Sequence, residues 1–317
     1  MRVVIVANPV SGRGRARNRA AVLAALLEAR GHEPVLVASE PRDASEWLSS
    51  CLGGADVVAA VGGDGTVRSM ASVLAAAGVP LVHVPQGNEN LFARSQGMGR
   101  RLTDTIALIE NGEPHRIDMA EANGSAMLLM ASIGFDAEVV ADVAARRRDR
   151  VSNWRYLRAA FGTLRRWTPP ELTVSVDGDQ IVSARPGWVV VSNAREYGGR
   201  LDPAPMAVMD DRRLDVTFFP ASSATQIVRW LIRCRMGWQV GAAGFVHRTA
   251  GSEVEIRSPD PVRWQLDGDP PPAGGPEAVQ GLRVRLASRQ LTVLRAPARA
   301  AAGVSVPAPS RNPASLQ

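Results

Sequence analysis

The strongest constraint on this chain is the run Val61-Gly62-Gly63-Asp64-Gly65-Thr66, which joins an apolar strand pattern to a helical one. DVVAAV (56–61) reads as a buried strand, and Val67, Met70, Ala71 and Leu74 recur at helical spacing over 66–77. Glycines in such a turn let the backbone approach a phosphate, and the helix N-terminus supplies N–H groups and a positive dipole. Asp64 in that turn can bind Mg²⁺ or orient a hydroxyl.

The surrounding sequence repeats the alternation. VVIVA (3–7) is a buried strand, followed by a helix over 16–30 with Val22, Leu23, Leu26 and Leu27 on one face and Gly31 as its stop. A strand over 34–38, a helix over 43–52 and a strand PLVHVP (80–85) complete the pattern. Strands alternating with helices predict an α/β domain with a parallel sheet and right-handed crossovers, whose ligands sit at the carboxyl ends of the strands. Two more polar loops then face the same edge: Asn8-Pro9-Val10-Ser11-Gly12-Arg13-Gly14 after the first strand, and Pro85-Gln86-Gly87-Asn88-Glu89-Asn90-Leu91-Phe92-Ala93-Arg94 after the fourth.

After about residue 120 the rhythm changes. AMLLMASIGF (126–135), ELTVSV (171–176), GWVVVSN (187–193), LDVTFF (214–219), EVEIRS (253–258), PVRWQLDGD (261–269) and LRVRLAS (282–288) are short strand patterns punctuated by turn residues. Helical segments interrupt near 138–167 and 223–240, and QLTVLRAP (290–297) is a last strand. At 317 residues the chain is long enough for two domains. The expected organisation is an α/β nucleotide-binding domain over 1–122, joined by the last strand (289–297), a β-rich acceptor domain over 123–288, and a disordered Ala/Pro/Ser-rich tail over 298–317.

All 37 basic residues are Arg, so mechanisms that need a lysine are excluded, including a Walker A lysine and a Schiff base. A formal charge of +6 favours an anionic partner. Arg13 and Arg94 are the loop arginines placed to meet phosphate. Cys51 and Cys234 give neither a disulfide framework nor a metal quartet, and no apolar run is long enough to span a membrane, so a cytoplasmic setting is expected. The four histidines (His32, His83, His115 and His247) lack ligand spacing.

Residues 144–167 mix eight arginines with Trp154, Tyr156, Leu157, Phe161, Leu164 and Trp167, and 226–238 repeats the blend. Basic helices with aromatic faces suit peripheral contact with an anionic membrane. The other readings are helices that merely cover the β-domain, or single-stranded nucleic acid; nucleic acid is the least favoured and is not an expected partner.

NPVSGRG, VGGDGT and GNENLFAR together resemble the diacylglycerol-kinase catalytic domain of bacterial lipid kinases, which are related to sphingosine kinases. The resemblance continues through ASIGFDAEV (131–139), VSNAREYGGRLDPAPMAVMDDRRLDV (191–216) and QLDGDP (265–270). It implies an N-terminal α/β domain of NAD-kinase/diacylglycerol-kinase type, a C-terminal β-sandwich, ATP and Mg²⁺ as cofactors, a lipid hydroxyl as acceptor in the cleft between domains, and a homodimer. It implies nucleotide contacts at Asn8, Ser11, Gly12, Ser39, Gly62, Gly63, Asp64, Gly65, Thr66, Asn88 and Asn90. It also implies a Mg²⁺ site at Asp211 with the carbonyls of Val208 and Arg213, and a catalytic set of Asp269 as base with Asp64 and Asp267. The chain departs from the resemblance at Asn88 (usually Thr), Leu91 (usually acidic), Asp269 (usually Glu) and Arg212 (usually Gly). Two other functions are compatible with these residues. One is an NAD kinase, which shares the Gly-Gly-Asp-Gly loop. The other is a non-catalytic lipid-binding relative.

Overall fold

The computed structural model describes residues 1–145, 153–272 and 274–297. The expected tail at 298–317 lies outside the described residues, as do 146–152 of the basic segment and the side chains of Arg13, Trp154, Tyr156 and Leu157.

The first domain alternates β1 (Arg2–Ala7), α1 (Arg15–Glu28), β2 (Glu33–Ala38), α2 (Ala44–Trp47), β3 (Val57–Gly62), α3 (Asp64–Ala77) and β4 (Leu81–Pro85). Two short helices, α4 (Leu91–Ser95) and α5 (Leu102–Asn111), then lead to β5 (Glu113–Ile117). Val3–Val6 and Val57–Val61 are fully buried, as continuous apolar strands covered on both faces must be. α1 buries Ala16, Ala20, Leu23, Ala24 and Leu27. The helix expected over 43–52 is shorter: Asp43 accepts the Ser45 N–H to start α2, and a 3₁₀ turn at Ser49–Cys51 ends the segment.

Strand order in this sheet is β2-β1-β3-β4-β15-β5, with β1 to β4 parallel and β15 (Leu291–Arg295) arriving from the far end of the chain. Order reverses between β1 and β3, which is where open α/β sheets hold ligands. Ala7 is level with Val61, and Val61 with Val84. The loops after β1, β3 and β4 therefore leave the sheet at one height.

The second domain holds β6 (Ala120–Ala122), β7 (Ser125–Met127), β8 (Met130–Ile133), α6 (Phe135–Ala145), α7 (Asn153–Arg166), β9 (Glu171–Val176), β10 (Asp179–Ser192), β11 (Leu214–Pro220), α8 (Ala224–Met236), β12 (Val246–Ala250), β13 (Glu253–Leu266) and β14 (Ala278–Leu286). β10 and β13 are 14 residues each, and register shifts along them let one strand serve both layers of a β-sandwich. Val174, Val191, Val216, Phe218, Ile256 and Trp264 fill the space between the layers.

The run 126–135, expected as one strand, is split. The Asp267 carboxylate accepts the backbone N–H groups of Leu128, Leu129 and Met130 at 2.8–3.0 Å, so Leu128 and Leu129 leave the ladder and β7 ends before β8 begins. Conversely, 253–258 and 261–269, expected as two strands, are the bent β13.

Candidate active site

The three loops at the carboxyl edge meet by backbone contact. A Cβ built on Gly87 would come 3.0 Å from the Gly63 Cα, so any side chain there would press on backbone where the second and third loops touch. Asn8 Nδ2 donates to Thr66 Oγ1 at 2.9 Å, tying the first loop to the second, and Thr66 packs over Gly62 closely enough to leave no room for a Cβ there. Below them, buried His83 donates from Nε2 to the Gly62 carbonyl at 3.0 Å, and burial lowers its pKa to about 4.

These loops form one wall of a cleft of about 2000 Å³ that runs between the two domains. Its first half is polar: Asn8, Ser11, Gly12, Gly63, Gly65 and Asn88 line it, with Arg15, Arg19 and Arg100. The other half is apolar and belongs to the second domain, with Phe135, Val139, Trp188, Val190, Leu231 and Cys234 among its walls. Behind this half Trp188 stacks on Phe219 at 4.3 Å between centroids.

The three expected catalytic carboxylates all border the cleft but differ in what they hold. Asp64 accepts the Leu91 and Phe92 N–H groups, each at 2.9 Å, and so caps α4; burial raises its pKa against the pull of those donors. Asp267 is engaged by three N–H groups, and burial likewise raises it, opposed first by Arg68. Asp269 sits across a tight turn in which Leu266 and Asp269 exchange backbone hydrogen bonds at 2.9 and 3.0 Å. Its side chain is 30% exposed, and its Oδ2 would lie 3.0 Å from a Cβ on Gly65. That carboxylate therefore rests directly on the glycine loop.

Sequence reasoning missed Arg68. It lies one turn after Asp64 on α3, donates to the Leu266 carbonyl, and places Nη2 3.8 Å from Asp269 Oδ2. It missed Asp136 as well, which lies within the run ASIGFDAEV (131–139). The Asp136 carboxylate accepts Ser132 Oγ at 2.6 Å and the Tyr197 hydroxyl, and burial raises its pKa. Perturbed carboxyls in a cleft are functional candidates. Arg15 and Arg19 were legible in principle, since they share a face at i, i+4 immediately after the first loop.

Several expected contacts lie elsewhere. Ser39 donates its N–H to the Ala7 carbonyl and does not line the cleft. Asn90, buried in a left-handed conformation, uses its side chain on both backbone groups of Gly87 and so shapes the loop from within. Arg94 is paired with Glu89 at 3.7 Å rather than placed on the cleft wall. Asp211, Val208 and Arg213 are also outside the cleft, in the loop whose Arg212 N–H binds Asp118 Oδ2 at 2.6 Å near the link between domains. Asp211 Oδ1 accepts the Arg213 N–H at 3.0 Å. One carboxylate and backbone carbonyls are donors that a hard cation such as Mg²⁺ takes. Asp215 nearby is raised to about 6, by burial first and by Asp211 second, so a cation there would relieve like-charge crowding. Among the described residues no group of three or more His, Cys, Asp or Glu could hold a metal, and no helix is long and apolar enough to cross a membrane.

Comparison with known proteins matches two successive stretches of the chain. Residues 2–122 match the diacylglycerol kinase catalytic domain, and residues 130–295 match the YegS C-terminal NAD kinase beta sandwich-like domain. The chain is 31% identical over 298 residues to a protein of Mycobacterium tuberculosis named diacylglycerol kinase, covering 90% of this chain and 96% of that one. It is 29% identical over 252 residues to a Stenotrophomonas maltophilia protein named "Probable lipid kinase YegS-like", covering 74% and 80%. A solved structure from Bacillus anthracis, described as a diacylglycerol kinase, shares the fold with a TM-score of 0.65 at 18% identity, covering 93% of this chain and 97% of that one.

Proposed function

The chain belongs to the diacylglycerol kinase family of lipid kinases, and from that premise we propose that it transfers the γ-phosphate of ATP, with Mg²⁺, to the hydroxyl of a diacylglycerol-like or sphingoid lipid. The observation that carries this reading is the single cleft, polar with glycine loops at one end and apolar at the other, with Asp269 between. NAD carries no hydrocarbon chain and would leave most of the apolar half unfilled.

The residues divide the work by position. The loops at Ser11–Gly12, Gly63–Gly65 and Gly87–Asn88 cradle phosphates through backbone N–H groups, and Arg15, Arg19 and Arg100 supply the charge that lysine supplies in other kinases. The apolar wall holds the acyl or alkyl chains. Asp269 takes the acceptor's proton as the acceptor oxygen bonds to the γ-phosphorus and the bond to the ADP oxygen breaks. Asp64 and Asp267 position the loops that flank it. Asp211 with the Val208 and Arg213 carbonyls would hold Mg²⁺ as a structural ion. Mg²⁺ bound with the nucleotide would supply neutralising charge to the transferring phosphoryl group.

The test is transfer from radiolabelled ATP to a panel of diacylglycerol, sphingoid base and NAD. Label on lipid is expected. Label on NAD alone would overturn the acceptor class, and lipid binding without turnover would replace the kinase by a binding protein.

A further inference from the structure

α8 is apolar on two opposite sides. Ile227, Trp230 and Cys234 are buried, and Leu231 and Cys234 form part of the apolar half of the cleft. On the other side Val228, Ile232 and Met236 are exposed. Their spacing of four stacks them in one stripe. Just past Gly237, Trp238 and Val240 are exposed as well, at 63% and 61%. Val240 in turn borders a groove of about 400 Å³ with Met206, Phe245, His247 and Arg248. α7, which packs against α8, also carries an exposed apolar residue, Phe161, with the Arg165 guanidinium 4.6 Å over its ring. Single exposed apolar residues are ordinary, but a contiguous run of them marks an interaction surface.

The charges around the stripe identify its partner. No Asp or Glu occurs between Asp215 and Glu253, whereas Arg229, Arg233, Arg235 and Arg248 do. On a helical projection Arg235 falls on one side of the stripe and Arg229 and Arg233 on the other. A two-fold-related second copy would set these arginines against their own counterparts, with no acid in the segment to pair them. An apolar stripe rimmed by arginine fits an anionic bilayer instead, with the apolar residues at the acyl boundary and the guanidinium groups among headgroup phosphates. We propose that the outer face of α8, together with the Trp238–Val240 turn, docks on an anionic membrane surface and so holds the apolar half of the cleft, on the opposite face of the same helix, within one helix width of the bilayer. This rests on the reading that the acceptor is a lipid.

The experiment uses the full chain with vesicles of phosphatidylcholine, with and without phosphatidylglycerol, and measures co-sedimentation and oligomeric mass. Partitioning is expected on the anionic vesicles and should fall as salt rises. Arg229→Gln/Arg233→Gln/Arg235→Gln should weaken it by on the order of 10²-fold, about fivefold per arginine. Ile232→Ser/Met236→Ser/Trp238→Ser should weaken it on anionic vesicles by more than about tenfold. Both variants should phosphorylate a short-chain diacylglycerol dispersed in detergent as the wild type does, while losing activity on vesicle-embedded lipid in step with binding. Wild-type binding by both variants, or equal binding to neutral vesicles, would overturn the docking. So would a dimer-to-monomer change in the variants with vesicle binding intact, which would make the face a contact between copies. Should the wild type be inactive on dispersed lipid, the kinase reading fails while co-sedimentation still decides the docking.

Discussion

Arg68, on the helix that follows the glycine loop, donates to the backbone carbonyl of Leu266 in the second domain. The same guanidinium lies 3.8 Å from Asp269 Oδ2 and opposes the burial that raises Asp64 and Asp267. One cation thus serves three carboxylates and bridges the cleft. Arg68→Met should lower kcat by about 10–10²-fold while changing KM for ATP less than about threefold, because Arg68 positions the acceptor side. Arg68→Lys should recover part of the loss through charge alone. A rise in KM for ATP with kcat unchanged would make Arg68 a nucleotide contact instead.

The carboxylates themselves separate by measurement. Asp269→Asn should lower kcat by roughly 10²–10⁴-fold with ATP affinity preserved, as loss of a general base does. Asp269→Glu should retain activity, since it keeps a carboxylate at the same turn. Asp64→Asn should behave differently. Replacing one acceptor oxygen by an NH₂ group faces it with the N–H of Leu91 or Phe92, at a cost of about 1–3 kcal/mol. Its thermal midpoint should fall and its KM for ATP rise. A stable Asp64→Asn with unchanged KM and abolished kcat would move the base to Asp64.

Gly65 and Gly87 test the loop contact. Gly65→Ala puts a methyl group 3.0 Å from Asp269 Oδ2, a side-chain end that can swing away. Gly87→Ala puts one 3.0 Å from the Gly63 backbone, which cannot. Kinetics should therefore show Gly65→Ala losing kcat and Gly87→Ala losing ATP affinity. The reverse pattern would mean that the loops are not arranged around a nucleotide as described.

His83 makes part of the stability pH-dependent. Its pKa is about 4 in the folded chain against 6.5 for an unperturbed histidine, because burial disfavours the cation. Folding therefore favours its neutral form. The associated stability is complete above about pH 6.5 and is lost as pH falls towards 4, amounting to on the order of 3 kcal/mol. Melting curves of His83→Gln should depend less on pH across that window than those of the wild type. Equal slopes would assign the acid sensitivity to other groups.

Much of this was legible in the sequence because local rules and the fold agree. Buried strands covered on both faces are written as unbroken apolar runs, so β1, β3 and β4 and the loops after them could be read directly. What escaped was decided by distant partners. Nothing near 126–135 signals that Asp267 will claim three N–H groups there and split the strand. Arg68 looks like a solvated helix residue until the turn at Leu266–Asp269 is brought against it. Arg94 is drawn to Glu89 by a pairing that a loop's spacing does not reveal.

β15 carries a consequence for how the molecule is made. It lies between β4 and β5, pairing parallel with β4 and antiparallel with β5. During synthesis the first domain emerges first, yet its sheet has a strand-wide gap until residues 291–295 leave the ribosome. N-terminal domains generally fold as units during translation; here the glycine loops must wait for the β-sandwich to be threaded before the sheet beneath them closes. Cutting the chain within 286–291 would therefore open the polar end of the cleft, although the loops of that end lie about two hundred or more positions earlier.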